Sequence, residues 1–276
     1  YLFAYTVPIS VYISFMSTGI WTYSTVFYVF ILLPILDFLL GESKENFSKE
    51  DASHQNKKWI FDIMLYFNVP IIFGLLYIVF SSFQLNDYNV FETVGLAFST
   101  GLLLSINGIN VAHELGHRKP YYERFLSKLL YMPCLYMHFY IEHNFGHHLH
   151  VATPEDGATA KYNQSVYSFW FTSVTKQYFD AWKNQKILLK TKNSSFISIK
   201  NDMIWYHLIQ PLYLFVIYYL FSFEVMIFAL AVGIISFLFL ECINYIEHYG
   251  LQRLKLASGR YERVQPHHSW NSDFNI

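Results

Sequence analysis

The chain has 276 residues, of which 54% are hydrophobic, 20% aromatic and only 14% charged, whereas soluble domains carry about 25% charged residues. That balance excludes a disordered or water-soluble protein, and a net charge of -1 offers phosphate backbones no general attraction, so no nucleic-acid partner is expected. Cys134 and Cys242 stand 108 residues apart in apolar surroundings, which points to packing rather than a disulfide framework or a thiolate metal site. The chain opens at Tyr1 inside an uncharged run and reads as a fragment.

A bilayer core takes about 20 apolar residues per helix. Residues 1–36 hold no charged side chain, and Ser17-Thr18-Gly19 divides them into a clipped span over 1–16 and a second over 20–40. Further spans are predicted over 60–83, 90–112, 203–223 and 225–246, the last two separated near Glu224. The fold class is therefore all-α and polytopic, with six transmembrane helices in a single membrane domain. Helix is preferred to barrel because the apolar runs are continuous rather than alternating, and a span must satisfy its own backbone.

Basic residues concentrate on the cytoplasmic side of membrane proteins. Here four Lys lie in loop 41–59, eleven Lys and Arg in 113–202, and four after the last span, while the three opposite loops carry none. Segments 113–202 and 247–276 are thus expected at the cytoplasmic face. The run Leu129–Ile141 is apolar but only 13 residues long, which suits an interfacial piece better than a seventh span. Loop 41–59 reads as a solvated connection. The glycosylation patterns at Asn46, Asn163 and Asn193 fall on the inner side and are chance.

All twelve histidines lie on the basic side or at the inner ends of spans. In HELGH, His113 and His117 are four apart, so a continuing helix projects both imidazoles from one face. In EHNFGHH, His143 and His147 repeat the spacing and His148 adds a third ring. His248 follows Glu247 at the end of the sixth span. A single His-x-x-x-His pair is common by chance, but three histidines in six residues near a membrane repel when protonated and need partners when neutral. Metal coordination answers both problems. His54, His138, His150 and His207 default to solvated or packing roles, and His267 and His268 to structural hydrogen bonds.

Six imidazoles exceed what one tetrahedral zinc takes, and no Cys cluster accompanies them. Two irons fit better. Glu114, Glu142, Asp156 and Glu247 then become candidates to orient imidazole N–H groups. HELGH is also the zinc-protease signature, with Glu114 as general base, but a protease leaves EHNFGHH and NYIEHYG without a role. A metal transporter would show ionisable residues in mid-span, and these spans are nearly charge-free.

Taken in order, HELGHR, EHNFGHHLHVATPEDGATA, NYIEHYGL and GRYERVQPHHSWNS resemble the blocks of the integral-membrane alkane monooxygenases, which share histidine boxes with membrane desaturases and xylene-type hydroxylases. The resemblance implies terminal hydroxylation of alkanes with O2 at a cytoplasmic di-iron centre in the bacterial inner membrane. It also implies a rubredoxin electron donor, and His113, His117, His143, His147, His148 and His248 as iron ligands. Related desaturase or xylene-type chemistry is the alternative. The family's last His-x-x-His-His box is not in this chain. Gly157 stands where the family usually has Pro, Phe145 where a polar residue is commoner, and Arg118 where Lys is frequent. Phe27, Tyr28, Phe30, Phe73 and Phe98 are expected in core packing or along an alkane channel. Arg118, Lys119 and Arg124 are expected either to meet solvent and membrane or to dock an acidic electron carrier.

Overall fold

The computed structural model describes residues 2–41 and 59–271. Loop 41–59, with His54 and the Asn46 pattern, lies almost wholly outside the described residues. Nine helices account for most of the rest: α1 (Phe3–Phe15), α2 (Gly19–Leu40), α3 (Trp59–Leu85), α4 (Val90–Gly116), α5 (Tyr121–Tyr131), α6 (139–150), α7 (Val166–Thr191), α8 (Asp202–Leu220) and α9 (Phe223–His248). Among the described residues there is no strand, only an isolated bridge between Lys255 and Tyr261.

Five of these helices, α2, α3, α4, α8 and α9, are long and apolar enough to cross a bilayer. The expected first span is present only as the short apolar α1. Large apolar side chains stand outward, with Phe38 77%, Leu39 72% and Tyr219 77% exposed. Surfaces of that kind are stable only where lipid replaces water, and the chain is a multi-pass membrane protein. The apolar run Leu129–Ile141 is not one helix: α5 ends at Tyr131, turns occupy 132–138, and α6 begins at Phe139.

The chain divides into two compact units. Of the described residues, the first comprises 2–41, 59–135 and 214–236. In it, small residues let helices approach, as membrane packing requires when lipid is as apolar as the helix surface. The buried hydroxyls of Ser10, Ser14, Thr25 and Ser99 bond one another at 3.2–3.3 Å. Asn107 Nδ2 donates to Ala4 O at 2.9 Å and Asn68 Oδ1 at 3.0 Å. The start of α4 carries a capping box, with Asn89 Oδ1 accepting the Glu92 N–H at 3.0 Å and Glu92 Oε2 accepting the Asn89 N–H at 3.1 Å. The other oxygen of Glu92 accepts the Gly19 N–H at 2.7 Å. This ties the turn between α1 and α2, where Gly19 takes the left-handed φ of 59°, to the start of α4.

The second unit comprises 136–213 and 237–271. Its frame is α7, capped by Ser165 Oγ accepting the Ser168 N–H. The buried face of α7 repeats every fourth residue through Phe169, Ser173, Gln177, Ala181, Gln185 and Leu189, the stripe of an amphipathic helix. α6 packs against it, and Gly146 on α6 has no room for a side chain: a Cβ there meets Asn184 Nδ2 at 2.7 Å and Glu142 Oε1 at 2.9 Å.

Gly95 tests the close approach in the first unit, because a Cβ at this position meets Thr22 Oγ1 at 2.4 Å and the Tyr23 ring at 2.5 Å. Gly95→Leu is expected to cost about 1–3 kcal/mol through overpacking and to lower the melting temperature of the detergent-solubilised protein. Gly74→Ala, with nothing within 4 Å of the new methyl, is expected to leave it equal or higher. A Gly95→Leu protein melting like the parent contradicts the packing.

Candidate metal centre

In the first unit, His113 lies in the last turn of α4 and His117 caps it. Their rings meet edge to face with centroids 4.5 Å apart and the two Nε2 atoms 2.9 Å from each other. The following residue, Arg118, is taken up by carboxylates. It reaches Asp62 at 2.5 Å, Glu123 at 3.1 Å and Glu114 at 3.4 Å. Burial disfavours the charged guanidinium, but the bonds to Asp62 and Glu123 outweigh that and hold it more basic than usual. Arg118 is therefore not a free charge for docking a carrier. Glu114, a candidate imidazole orienter, is half-exposed and bonds Arg118.

In the second unit four imidazoles gather. His143 and His147 belong to a π-turn, His143–His147, inside α6, and His148 follows it. An α-turn carries the residue five positions on about 140° away from the first, whereas the wider π-turn brings it back over the first residue. His148 therefore shares the face of both partners. The centroid of His143 is 5.2 Å from His147 and 4.4 Å from His148, and His147 is 5.1 Å from His248 at the end of α9.

Two of these rings have their tautomer fixed by acceptors that cannot donate. His147 Nδ1 donates to Asp156 Oδ2 at 3.0 Å, and His248 Nδ1 donates to the His268 carbonyl at 3.2 Å. Both protons being placed on Nδ1, each Nε2 keeps a lone pair for a metal. Asp156 is itself fixed by the Ala158 N–H at 3.1 Å and the Thr159 hydroxyl at 2.5 Å. Its carboxyl is drawn down, burial opposing and the His147 bond prevailing, while His147 is drawn up by Asp156 against its own burial. The acceptor for His248 comes from the tail that folds over the end of α9, where Trp270 N donates to Glu247 O at 2.9 Å and Trp270 Nε1 to Tyr249 O at 3.0 Å. Gly250, at φ 71°, ends the helix and donates to Ala160 O at 2.9 Å. The clustered imidazoles, two with their Nε2 lone pairs prepared, are the donor set that imidazole-bound iron uses, and they fit it.

Glu142 is buried, with Oε2 unpartnered. Burial, and then the charge of Asp156, pushes its carboxyl up to about 8, so it holds a proton at neutral pH. Glu247 lies 3.8 Å from His248 Nε2 and is half-exposed. Phe145 is exposed. Gly157 has little room, since a Cβ would stand 3.1 Å from Gln177 Cγ, so a larger residue there requires the Gln177 turn to yield. His207 bonds Tyr178 and Met203 O, His268 accepts the Gln265 N–H, and His138 is buried among Tyr136 and Tyr178. Of the named aromatics, Phe98 lines an apolar recess of about 530 Å³ in the first unit with Phe83, Val94, Ala97, Ile227 and Phe228. Phe27 and Tyr28 line a second one of about 340 Å³, and Phe30 faces outward.

Sequence reasoning passed over the His268 carbonyl, Tyr136 and Tyr178. A backbone acceptor leaves no trace in a side-chain motif, and the two tyrosines are lost among 23.

An all-helical membrane protein with histidine clusters of this kind defines the class. Residues 89–276 match the model of the fatty acid desaturase family, and the chain belongs to that family and, within it, to the alkane 1-monooxygenases. It is 36% identical to alkane 1-monooxygenase 2 of Pseudomonas aeruginosa, an alignment covering 92% of this chain and 68% of that protein. It is 33% identical to alkane 1-monooxygenase 2 of Alcanivorax borkumensis, covering 97% and 71%. The hydroxylase component of xylene/toluene monooxygenase from Pseudomonas putida is more distant, at 26% over 88% and 63%. The chain is an oxidoreductase, and its histidine clusters are consistent with a non-haem iron centre.

Two outcomes follow from the hydrogen bonding. Asp156→Ala removes the acceptor that fixes His147, and affinity for a divalent metal ion is expected to fall about 10- to 100-fold in a chelator-competition titration, with helicity unchanged. Unaltered affinity contradicts the orienting bond. His138, held neutral by burial and then by His207 with its pKa lowered to about 3, takes up a proton only on unfolding. Stability is therefore lost as pH falls below the unfolded value near 6.5, by about 2 kcal/mol between pH 7 and pH 5. Melting curves of His138→Phe should show a correspondingly shallower pH dependence than the parent.

Proposed function

We propose that the protein hydroxylates the terminal carbon of medium- or long-chain alkanes with O2 at a pair of iron ions held by His113, His117, His143, His147, His148 and His248. The observation that carries this reading is the prepared lone pair on His147 and His248, each created by a buried Nδ1–H acceptor, in a chain of the alkane 1-monooxygenase family. Two ferrous ions held there would supply the electrons for reduction of dioxygen that hydroxylation of a C–H bond requires.

The protein's own residues do the rest. Asp156 and the His268 carbonyl keep two imidazoles in one tautomer through the redox cycle. Protonated Glu142 lets a carboxyl lie buried beside these rings without adding charge to the site. An alkane has no polar handle, so apolar surface alone must select it and exclude water. The recess lined by Phe83, Phe98 and Phe228 has the composition for that, and we assign it to taking up alkane from the lipid. Six spans with the histidines on the cytoplasmic side of the bacterial inner membrane agree with the one-sided basic residues. A rubredoxin is the electron donor this reading calls for.

With isotopically labelled dioxygen and an electron-donor system, the protein is expected to convert octane to 1-octanol carrying one labelled atom. His143→Ala and His248→Ala are expected to lose both turnover and bound iron, while His54→Ala loses neither. Label-free product, or full iron and turnover in either ligand variant, overturns the assignment.

A further inference from the structure

A chain of rings leads from His143 to the surface of the second unit, and it contains two tyrosines that each have a base on the hydroxyl. Phe139 stacks on His143 at 4.9 Å and Tyr136 stacks on Phe139 at 5.7 Å. His138 lies edge-on to Tyr136 at 4.5 Å and to Tyr178 at 5.5 Å. Tyr178 adjoins His207 at 5.6 Å, and Trp182 lies 5.2 Å beyond it. The inner members are closed off, with Tyr136 1% exposed, whereas His207 stands at the surface.

The hydroxyl partners set this chain apart from ordinary aromatic packing. Tyr136 O–H donates at 3.0 Å to Oε1 of Glu241, a fully buried carboxyl group that also accepts from Ser173 Oγ at 2.6 Å and Gln177 Nε2 at 2.9 Å. His207 Nδ1 donates to the Met203 carbonyl at 2.7 Å, so its Nε2 keeps the lone pair and accepts from Tyr178 O–H at 2.7 Å. A phenol loses an electron at accessible cost only when its proton has somewhere to go at the same moment. Both tyrosines have that provision, one inside and one at the surface.

We propose that Tyr136 and Tyr178, with Glu241 and His207 as proton acceptors, form a relay that drains oxidising equivalents from the metal centre when no alkane intercepts them. The inference rests on the iron-dependent reading above. One electron leaves Tyr136 toward the site while its phenolic proton passes to Glu241, giving a neutral tyrosyl radical. An electron from Tyr178 then restores Tyr136, which takes its proton back from Glu241, and Tyr178 passes its own proton to His207. A thiol or ascorbate in solvent returns one electron to Tyr178, and His207 returns the proton. The net change is one electron moved from the external reductant to the site, with every relay proton back on its starting atom. Trp182 extends the outer end toward solvent.

Iron-loaded protein in lipid nanodiscs, supplied with reductant and dioxygen but no alkane, tests the relay. Freeze-quenched electron paramagnetic resonance is expected to show a tyrosyl signal that narrows with ring-deuterated tyrosine, and peptide mass spectrometry to find oxidation at Tyr178 and Trp182. Tyr136→Phe is expected to lower oxidation at those two positions at least fivefold and to raise it on His143, His147 and His148, with faster iron loss. Tyr178→Phe, a milder change at the outer end, should confine the radical to Tyr136, and Tyr219→Phe should change nothing. Equal oxidation at Tyr178 and Trp182 in the parent and in Tyr136→Phe, or no tyrosyl signal in the parent, overturns the relay. Hydroxylation assays on the same preparations separate the two readings. Turnover without radical transfer removes the relay alone, and a parent without iron or turnover removes both.

Discussion

A neutral imidazole has one proton and two nitrogens, so a nitrogen is available to a metal only when the other has a place for the proton. In water that place is trivial, but in a membrane protein each such acceptor has to be built. His147 uses a buried carboxylate, Asp156, that is held by the Ala158 amide and the Thr159 hydroxyl. His248 uses a backbone carbonyl, His268, brought over the helix end by the tail. The first acceptor is charged, stiff and local in sequence. The second is neutral and depends on the whole segment from Gly250 to Trp270 keeping its path. The two imidazoles therefore fail differently. Loss of Asp156 strikes one ring, whereas loosening the tail releases His248 without any change in a histidine.

Much of this was legible in the sequence, because hydropathy and charge report on solvent. The spans are visible in uncharged runs, and their observed ends lie within a few residues of the expected ones, α4 running furthest past its expected inner end and α1 remaining too short to count among the five candidate spans. The spacing of His113 and His117 translates directly into two adjacent rings because α4 remains α-helical there. The spacing of His143, His147 and His148 does not translate so simply. An α-helical reading leaves His148 on another face, and only the π-turn gathers all three. A π-turn depends on which backbone bonds the surroundings favour, here against α7, and no residue type announces it. The helix α7 was not expected from the sequence, because its buried every-fourth-residue stripe carries Ser173, Gln177 and Gln185, which hide it from a search for apolar periodicity.

Those same polar residues matter because they receive Glu241. A carboxylate inside a membrane-embedded helix costs several kcal/mol unless every lone pair is engaged. Glu241 is engaged by Tyr136, Ser173, Gln177 and Asn244, which tie α7 and α9 together. Glu142 has no comparable set of donors and keeps its proton instead. Glu92 takes a third course at the other end of the spans, where it accepts the Gly19 and Asn89 amides at a helix start. One residue type thus meets the same desolvation penalty in three ways, by hydrogen bonds, by protonation and by helix-terminal amides.

Oxygen chemistry sharpens the choice between those solutions. A centre that generates strong oxidants in an aromatic-rich protein places them near side chains that can be damaged, and 20% of this chain is aromatic. Apolar recognition of an alkane rests on many small increments, each methylene contributing only about 0.8 kcal/mol. The ring next to His143 is Phe139, which has no proton to lose. The next is Tyr136, whose proton acceptor is the carboxylate that also joins α7 to α9. A group that is expensive to bury, and that stabilises the helix pair only because its lone pairs are filled, is thereby placed where it also gives the phenolic proton a destination.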